Sequence, residues 1–246
     1  MTHQPLTAAE FAELYTVDTP SVCNVIELFQ VRPRNAGYMD SRIKACFPRQ
    51  RTMIGYAVTA TFRSSSPPPS GLDVYSGLLK QLDQFSRTPA PPVIVFQDLD
   101  EPDAGATVGE VMCTVYKSFG AAGLITSGTA RDLDQVEAIH FPVFASGVNP
   151  SHAWCHIVEV NVPVQVGGLE VRPGDLLHGD RNGVTSIPLE IAGPVARSCK
   201  AFLQTEDVLF QYLRAPNPTV DGYKKVAAES KAMLAQLVRM IEAGEV

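Results

Sequence analysis

No two cysteines in this 246-residue chain are spaced C-x-x-C, and the five present (Cys23, Cys46, Cys113, Cys155, Cys199) are scattered and odd in number. That spacing excludes a zinc ribbon and argues against a disulfide framework, so a reducing compartment is expected. Positive charge is also short: 20 Lys and Arg face 26 Asp and Glu, a net charge of -6. Without a basic cluster to track a phosphate backbone, no nucleic acid partner is expected. No apolar run is long enough to span a bilayer, and MTHQPLTAAEFAELYTVDTP lacks the basic and apolar regions of a signal peptide. The expectation is a cytoplasmic protein with no membrane association. GVNPS and VGG read as turns and continue into neither a dinucleotide-binding fingerprint nor a P-loop. What the chain does have is 45% apolar residues, enough for one sizeable core.

The apolar pattern predicts an α/β fold in three parts: a helical cover over 1–50, an α/β core over 51–193 and a helical extension over 194–246. Phe11, Leu14, Val22, Val25, Ile26 and Phe29 fit two short amphipathic helices broken near Pro20. GYAVTATF reads as a strand, and the prolines of SSSPPPSG then enforce a loop. Leu72, Tyr75, Leu78, Leu79, Leu82 and Phe85 recur at helical spacing. PPVIVFQDLD, AGLITSG and FPVFASG read as strands, alternating with helices in GEVMCTVYKSFGAAG and TARDLDQVEAIH. That order predicts right-handed βαβ units, whose functional groups gather at the strand C-terminal ends. Beyond Trp154 the texture becomes short alternating stretches punctuated by Gly-Gly, Pro-Gly-Asp and Asp-Arg-Asn-Gly, the mark of hairpins in a meander or small barrel. Two helical stretches follow, the last with Val226, Leu234, Leu237, Val238 and Ile241 along one stripe.

Two of the predicted helix starts could carry chemistry. Glu110 follows Gly109, so the free amides of Val111 and Met112 could face a bound anion. At the second, Arg131 offers a planar two-pronged donor for a carboxylate, and Asp132 offers hard oxygens for Mg²⁺ or Mn²⁺. Twenty residues separate Glu110 from Arg131. One helix plus one strand fits that interval, which would set the two starts side by side at one sheet edge. Taken singly, each feature has a plain structural explanation: Arg131-Asp132 as a cap and surface pair, Glu110 as a first-turn acid complementing the helix dipole.

The run GEVMCTVYKSFGAAGLITSGTARDLDQVEAIHFPVFASG, followed by VNVPVQVGGLEVRPGDLLHGDRNGVTSIP, resembles the RraA-like family, which includes 4-hydroxy-4-methyl-2-oxoglutarate aldolases and the regulator of ribonuclease E activity. The resemblance covers roughly Gly55 to Pro188. It implies a swivelling β/β/α fold, a homotrimer or homohexamer with sites at subunit interfaces, and a divalent-metal-dependent lyase that releases pyruvate from a small 2-oxo acid. In the aldolases an Asp-x20-Arg-Asp motif carries the metal and pyruvate site, and Glu110, Arg131 and Asp132 resemble it. By that likeness Asp132 ligates Mg²⁺ or Mn²⁺, Glu110 holds metal-bound water, and Arg131 with the Val111 and Met112 amides binds the pyruvyl group. The same site would decarboxylate oxaloacetate, and no Schiff-base lysine is needed; Lys117 reads as a surface residue. The chain departs from the family in having Glu110 where the aldolases have Asp, and RSSSPPPSGLDVY where they have a Gly-Asp-Asn-like segment. Its Asp180-Arg181-Asn182-Gly183 turn replaces an acidic one.

Other candidates have plainer explanations. His152 and His156 of SHAWCH lack a fourth ligand at zinc spacing and read as structural or surface groups. Asp98, Asp100, Glu101 and Asp103 read as a solvated loop, with a supporting part in metal binding left open by their place after a strand. Cys113 reads as a core residue. Two rivals to the pyruvate-releasing lyase stand: a non-catalytic protein-binding regulator of the ribonuclease E inhibitor type, and a lyase for a sugar-derived or bulkier oxo acid, suggested by the altered proline loop.

Overall fold

The computed structural model of the protein describes residues 4–71 and 73–246. Near the start of the chain, α1 (Ala8–Tyr15) opens with a capping box in which Thr7 and Glu10 satisfy each other's backbone amides. Asp18 caps α2 (Thr19–Leu28) and Pro20 sits in its first turn, where a missing N–H costs nothing. The break expected near Pro20 therefore falls just before it, at Thr16–Asp18, and the proline starts the second helix.

The residues cluster into two compact units, one comprising the chain up to Arg34 together with Glu190–Val246, the other Asn35–Leu189. In the larger unit, β1 (Lys44–Ala45), β2 (Met53–Arg63), α3 (Val74–Leu82), β3 (Pro92–Asp98), β4 (Ala106–Val108) and α4 (Glu110–Ser118) come first. β5 (Gly123–Thr126), β6 (Thr129–Ala130), α5 (Leu133–Ala138), β7 (Val143–Ala145) and β8 (Gly147–Val148) follow. β9 (His156–Val160), β10 (Val164–Val166), β11 (Leu169–Val171), β12 (Leu176–Asp180) and β13 (Gly183–Ile187) complete it.

Strands β2, β3, β5 and β7 pair in parallel, as the alternation of strands and helices predicts. β1 joins β7 antiparallel, and β12 and β9 share the free side of β2, one at each end. Both faces of this sheet are covered. On one, Val58, Phe62, Ile94, Phe96 and Leu124 pack with Cys113 and Tyr116 of α4 and Val136 of α5. On the other, Ala57, Val93, Val95 and Ile125 meet Phe144, Val164, Val166 and Leu177. β2 is buried from Met53 to Phe62, so the alternation in GYAVTATF marks a central strand and not one with a wet face. Buried Tyr116 donates from its hydroxyl to Gln81 Oε1 at 2.5 Å, while Gln81 Nε2 donates to the Val58 carbonyl at 3.2 Å. This ties α3 and α4 to the sheet.

The hairpins expected after Trp154 form at Gly167-Gly168, between β10 and β11, and at Arg181-Asn182, between β12 and β13. Gly167 and Gly168 have φ of 55° and 75°, the left-handed pair that a tight two-residue hairpin turn requires. In α3, Leu78 is buried whereas Tyr75 and Leu79 are 60% and 61% exposed, so the predicted apolar face is only partly used; Leu72 lies outside the described residues. In the smaller unit α6 (Ala192–Arg214) packs against α1, α2 and α7 (Val220–Ala243). No helix among the described residues is long and apolar enough to cross a membrane.

Candidate active site

After the C-terminal ends of β3, β5 and β7 the chain forms a second sheet of which the periodicity gives no sign. β4, β6 and β8 pair in parallel, with Ala106 opposite Thr129, Val108 opposite Ala130, and Ala130 opposite Val148. β4 runs directly into α4 and β6 directly into α5. Parallel pairing therefore delivers Gly109-Glu110 and Arg131-Asp132 to the same edge, as the twenty-residue interval predicts. The backbone N–H of Arg131 closes this arrangement by donating to the Val108 carbonyl at 3.0 Å.

Asp132 is not an ordinary cap. Its backbone is left-handed, φ 55° and ψ 43°, and its side chain makes no bond to the helix it precedes. Instead Oδ2 accepts from the Glu110 N–H at 3.0 Å, so the carboxylate caps α4, whose own cap position is the side-chainless Gly109. A left-handed non-glycine residue costs roughly 1–3 kcal/mol and persists where its surroundings over-determine it. Asp tolerates that conformation better than most residues. Arg131 and Asp132 thus stand at the predicted helix start, Arg131 just after β6 and Asp132 as the hinge between strand and helix.

Gly109 is what permits the approach. A Cβ there would lie 2.5 Å from Asp132 Oδ2 and 3.0 Å from both Cγ and Nε of Arg131. Arg131 Nε stands 3.4 Å from Asp132 Oδ2, with the two side chains 33% and 34% exposed. An ion pair this wet is worth at most about 1 kcal/mol, so it orients the guanidinium more than it stabilises the fold. Asp132 Oδ1 accepts no hydrogen bond from the described residues, and Glu110 is exposed at the same edge.

Beside Arg131 opens a cleft of about 280 Å³, lined among others by Tyr75 and Leu78 of α3, Val111 and Met112 of α4, and His152 and Cys155. No local pattern gathers the α3 groups here; for His152 and Cys155 the signal is the place of SHAWCH just beyond a strand end. His152 is held by packing of Gly105 on its backbone and by the Ala106 N–H, which donates to the Ser151 carbonyl at 2.7 Å. Its Nδ1 lies 2.8 Å from the Ala153 carbonyl, so Nδ1–H donates there and Nε2 is the remaining ring nitrogen. His156, by contrast, is buried, with Nδ1 on the Trp154 carbonyl. Burial pushes the Cys155 thiol up against the opposing pull of Arg131, so it lines the cleft as a neutral group. Cys113 is fully buried, its thiol pushed well up by burial, and Lys117 binds the Ile139 carbonyl at the surface.

The acid run at the end of β3 is not simply solvated. Burial raises Asp98 to about 6, and it accepts from Thr107 Oγ1 at 3.1 Å. Against a similar upward push, donors from Ser65 and Ser64 hold Asp100 below the ordinary carboxylate range and anchor the proline loop. With Glu101 and Asp103 these line a separate cleft of about 460 Å³.

Fold and site together describe an α/β protein with an acid and an Arg-Asp pair converging on one parallel sheet edge. A profile of the RraA-like family, described as Aldolase/RraA, matches residues 19–185, and the chain belongs to that family. A Halalkalibacterium halodurans protein provisionally named 4-hydroxy-4-methyl-2-oxoglutarate aldolase is 34% identical over 100 residues, 40% of this chain and 48% of that relative. The chain thus spans about half the length of that relative. A solved protein of Pseudomonas syringae pv. tomato superposes with a TM-score of 0.70 at 21% identity, covering 92% of this chain and 97% of the other. RraAS2 of Streptomyces coelicolor, described as an unusual member of the RNase ES inhibitor RraA family, superposes with a TM-score of 0.67 at 22% identity, covering 87% and 100%. At these identities the likeness is one of fold.

Proposed function

We propose that the protein is a divalent-metal-dependent lyase that cleaves a 4-hydroxy-2-oxo acid to release pyruvate, and that the same site decarboxylates oxaloacetate. The observation that carries this is the convergence of Arg131, Asp132 and the open first turn of α4 around Gly109, beside a cleft of ligand size. All of it lies within the 51–193 core, which we propose as the catalytic part of the three-part chain.

The donor set suits a hard, hydrated cation. Mg²⁺ is commonly bound through one or two carboxylates with waters completing an octahedron, and Asp132 with Glu110 supplies that number. No three His, Cys, Asp or Glu side chains converge among the described residues, so a cage built wholly of protein side chains does not suit the site. When bound, Mg²⁺ or Mn²⁺ would polarise the 2-oxo group as a Lewis acid. Arg131 binds the substrate carboxylate with its planar donors, and the Val111 and Met112 amides face the negative charge that develops on the C2 oxygen as the C3–C4 bond breaks. The C4 hydroxyl proton leaves to a base, for which His152 Nε2 is the group the cleft offers. C4 departs as a carbonyl, and C3 takes up a proton from water to give pyruvate. For oxaloacetate the departing group is carbon dioxide and the charge arrives at the same place. A cytoplasmic homotrimer or homohexamer, as in the family resemblance, is part of this proposal.

A pyruvate-release assay with oxaloacetate and 4-hydroxy-2-oxo acids, with and without Mg²⁺ or Mn²⁺, tests it. Asp132→Asn keeps an acceptor for the Glu110 amide while removing the charge. It is expected to retain the fold and lose metal-dependent turnover, and Arg131→Ala is expected chiefly to raise KM for the keto acid. Absence of metal-dependent turnover on every substrate would leave the non-catalytic regulator in possession of the scaffold.

A further inference from the structure

Two steps along β4, from Ala106 to Val108, are matched by one step along β6, from Thr129 to Ala130. Thr107 is therefore the extra residue of a β-bulge, a device that re-aims a side chain and shifts the phase of everything beyond it. Just past the bulge, the Val108 carbonyl takes the Arg131 N–H at 3.0 Å. The re-aimed side chain is buried and engaged on both sides. Thr107 Oγ1 donates to Asp98 Oδ2 at 3.1 Å and accepts from Thr126 Oγ1 at 3.2 Å, while Thr126 Oγ1 accepts from the Gly128 N–H at 3.0 Å. A hydroxyl has one proton to give, so the chain runs one way and suits a terminal group that only accepts, as an ionised carboxylate does. A Cβ on Gly128 would run into both Thr107 Oγ1 and Asp98 Oδ2, so the backbone entering β6 packs directly on their bond. The chain thus ties the ends of β3 and β5 to β4 and to the entry of β6.

We infer that Asp98 is a positioning residue of the candidate site: its carboxylate pins the Thr107 bulge, and the bulge sets the phase in which Glu110 meets Arg131 and Asp132. Its effect on turnover rests on the lyase proposal; its effect on the strands does not. Strands of three and two residues have too few ladder bonds to fix their own register, so a side-chain bond at the bulge decides it. The charge is kept at a cost in stability. Burial raises Asp98 to about 6, and Asp103 and Asp100 add like charge. Glu101 and Arg42 line the same cleft, and Arg63 stands 3.5 Å from Asp100. From β4 and the β5–β6 turn, Thr107, Ser127 and Gly128 bring it no titratable group. A carboxylate held at such a cost is characteristic of a site that needs it.

Asp98→Asn removes the charge and Thr107→Val the hydroxyl, while Thr107→Ser keeps the hydroxyl and serves as the rescue. Asp103→Asn takes a charge from the same cleft without touching the bulge and is the control. In the first two variants, amide hydrogen exchange is expected to be roughly tenfold faster at Arg131 and no faster at Leu124, whose N–H donates to the Pro142 carbonyl in the main sheet. Thr107→Ser and Asp103→Asn are expected to exchange as the unaltered protein does. Pyruvate release by Asp98→Asn is expected to be about tenfold slower at pH 8, chiefly in kcat, and the ratio of unaltered to variant rates to approach one by about pH 5. Protonated Asp98 and asparagine offer Thr107 much the same partner, and taking the ratio cancels limbs that other groups contribute, His152 among them. Unaltered exchange at Arg131 in both variants, or a rate ratio that does not change with pH, overturns the inference. Faster exchange with no pyruvate from any substrate sinks the lyase proposal and leaves the positioning role standing; turnover unaffected by Asp98→Asn does the reverse.

Discussion

Replacing Gly109 by alanine adds one methyl group at the point where the two helix starts touch. Gly109 has φ -151° and ψ -168°, extended backbone that alanine adopts freely, so the change is steric and not conformational. The new carbon would sit 2.5 Å from Asp132 Oδ2 and 3.0 Å from Arg131 Cγ and Nε. Both side chains are about one third exposed and can swing aside. The cost is then chiefly the charge-assisted bond from the Glu110 amide, about 1.5–3 kcal/mol where such bonds are sheltered and less in this half-wet place. Lower entropy of the unfolded chain returns roughly 0.4–1 kcal/mol, for a net destabilisation of about 1–2 kcal/mol by urea unfolding. Activity should suffer far more, because displacing an orienting group by about 1 Å costs on the order of 100-fold. The control lies on the third strand of the same small sheet: a Cβ at Gly147 would meet only Thr129 Cγ2, at 3.8 Å, an ordinary contact. Coupled pyruvate-release kinetics on Gly109→Ala and Gly147→Ala should show a loss of about two orders of magnitude in the first and little in the second. Full activity in Gly109→Ala, or equal losses in both, would refute the contact as the organiser of the site.

Asp98→Asn tests the raised carboxyl. A folded-state value near 6 against an ordinary 3.8 means that ionisation favours the unfolded chain, so the penalty is absent below about 3.8, grows as the pH rises, and is complete above 6. The asparagine variant should therefore be more stable than the unaltered protein at pH 7–8, by something like 1 kcal/mol after allowance for solvent screening and seen as a higher Tm, and lose that gain at pH 4; a gain independent of pH would show that charge is not its source. Tyr116→Phe leaves Gln81 Oε1 buried without its donor, and about 1–3 kcal/mol of stability should go with it in urea unfolding. An unchanged midpoint would mean that water or a rotated amide takes over.

The long-range order of strands and helices was legible because each of the parallel strands β2, β3, β5 and β7 is four or more residues of apolar sequence, or is bounded by glycine and proline, as PPVIVFQD and GLIT are. The small sheet was not. β6 and β8 are two residues each, too short for any period, and what fixes them is pairing with β4, a contact that no local pattern records. The same reason hides the role of Asp132. Its neighbours suggest a cap for the helix it precedes, and only the parallel register shows that it serves the other helix. Tyr75 and His152 reach the cleft from a helix and a loop far away in sequence, and helical spacing in α3 says which residues share a face without saying what that face meets. By contrast Glu110, Arg131 and Asp132 could be paired from sequence, since one βαβ interval separates them and the geometry of that unit is nearly invariant.

The bond from the Glu110 amide to Asp132 also makes the distance between these residues a ruler. Everything from Val111 to Ala130 must be one helix, the two short strands β5 and β6 and the turns between them, and the total is set by where β6 pairs with β4. An inserted residue in the turn at Phe119–Ala122 would either advance β6 by one position, presenting Ala130 where Arg131 belongs, or push α4 back along its axis and draw its first amide away from the carboxylate. The proline loop at 64–70 carries no such constraint, being tied down at its first two serines. Variation in length among homologous chains should therefore gather in that loop and be rare between the two helix starts, which makes the interval itself a sharper mark of the site than any one of the residues at its ends.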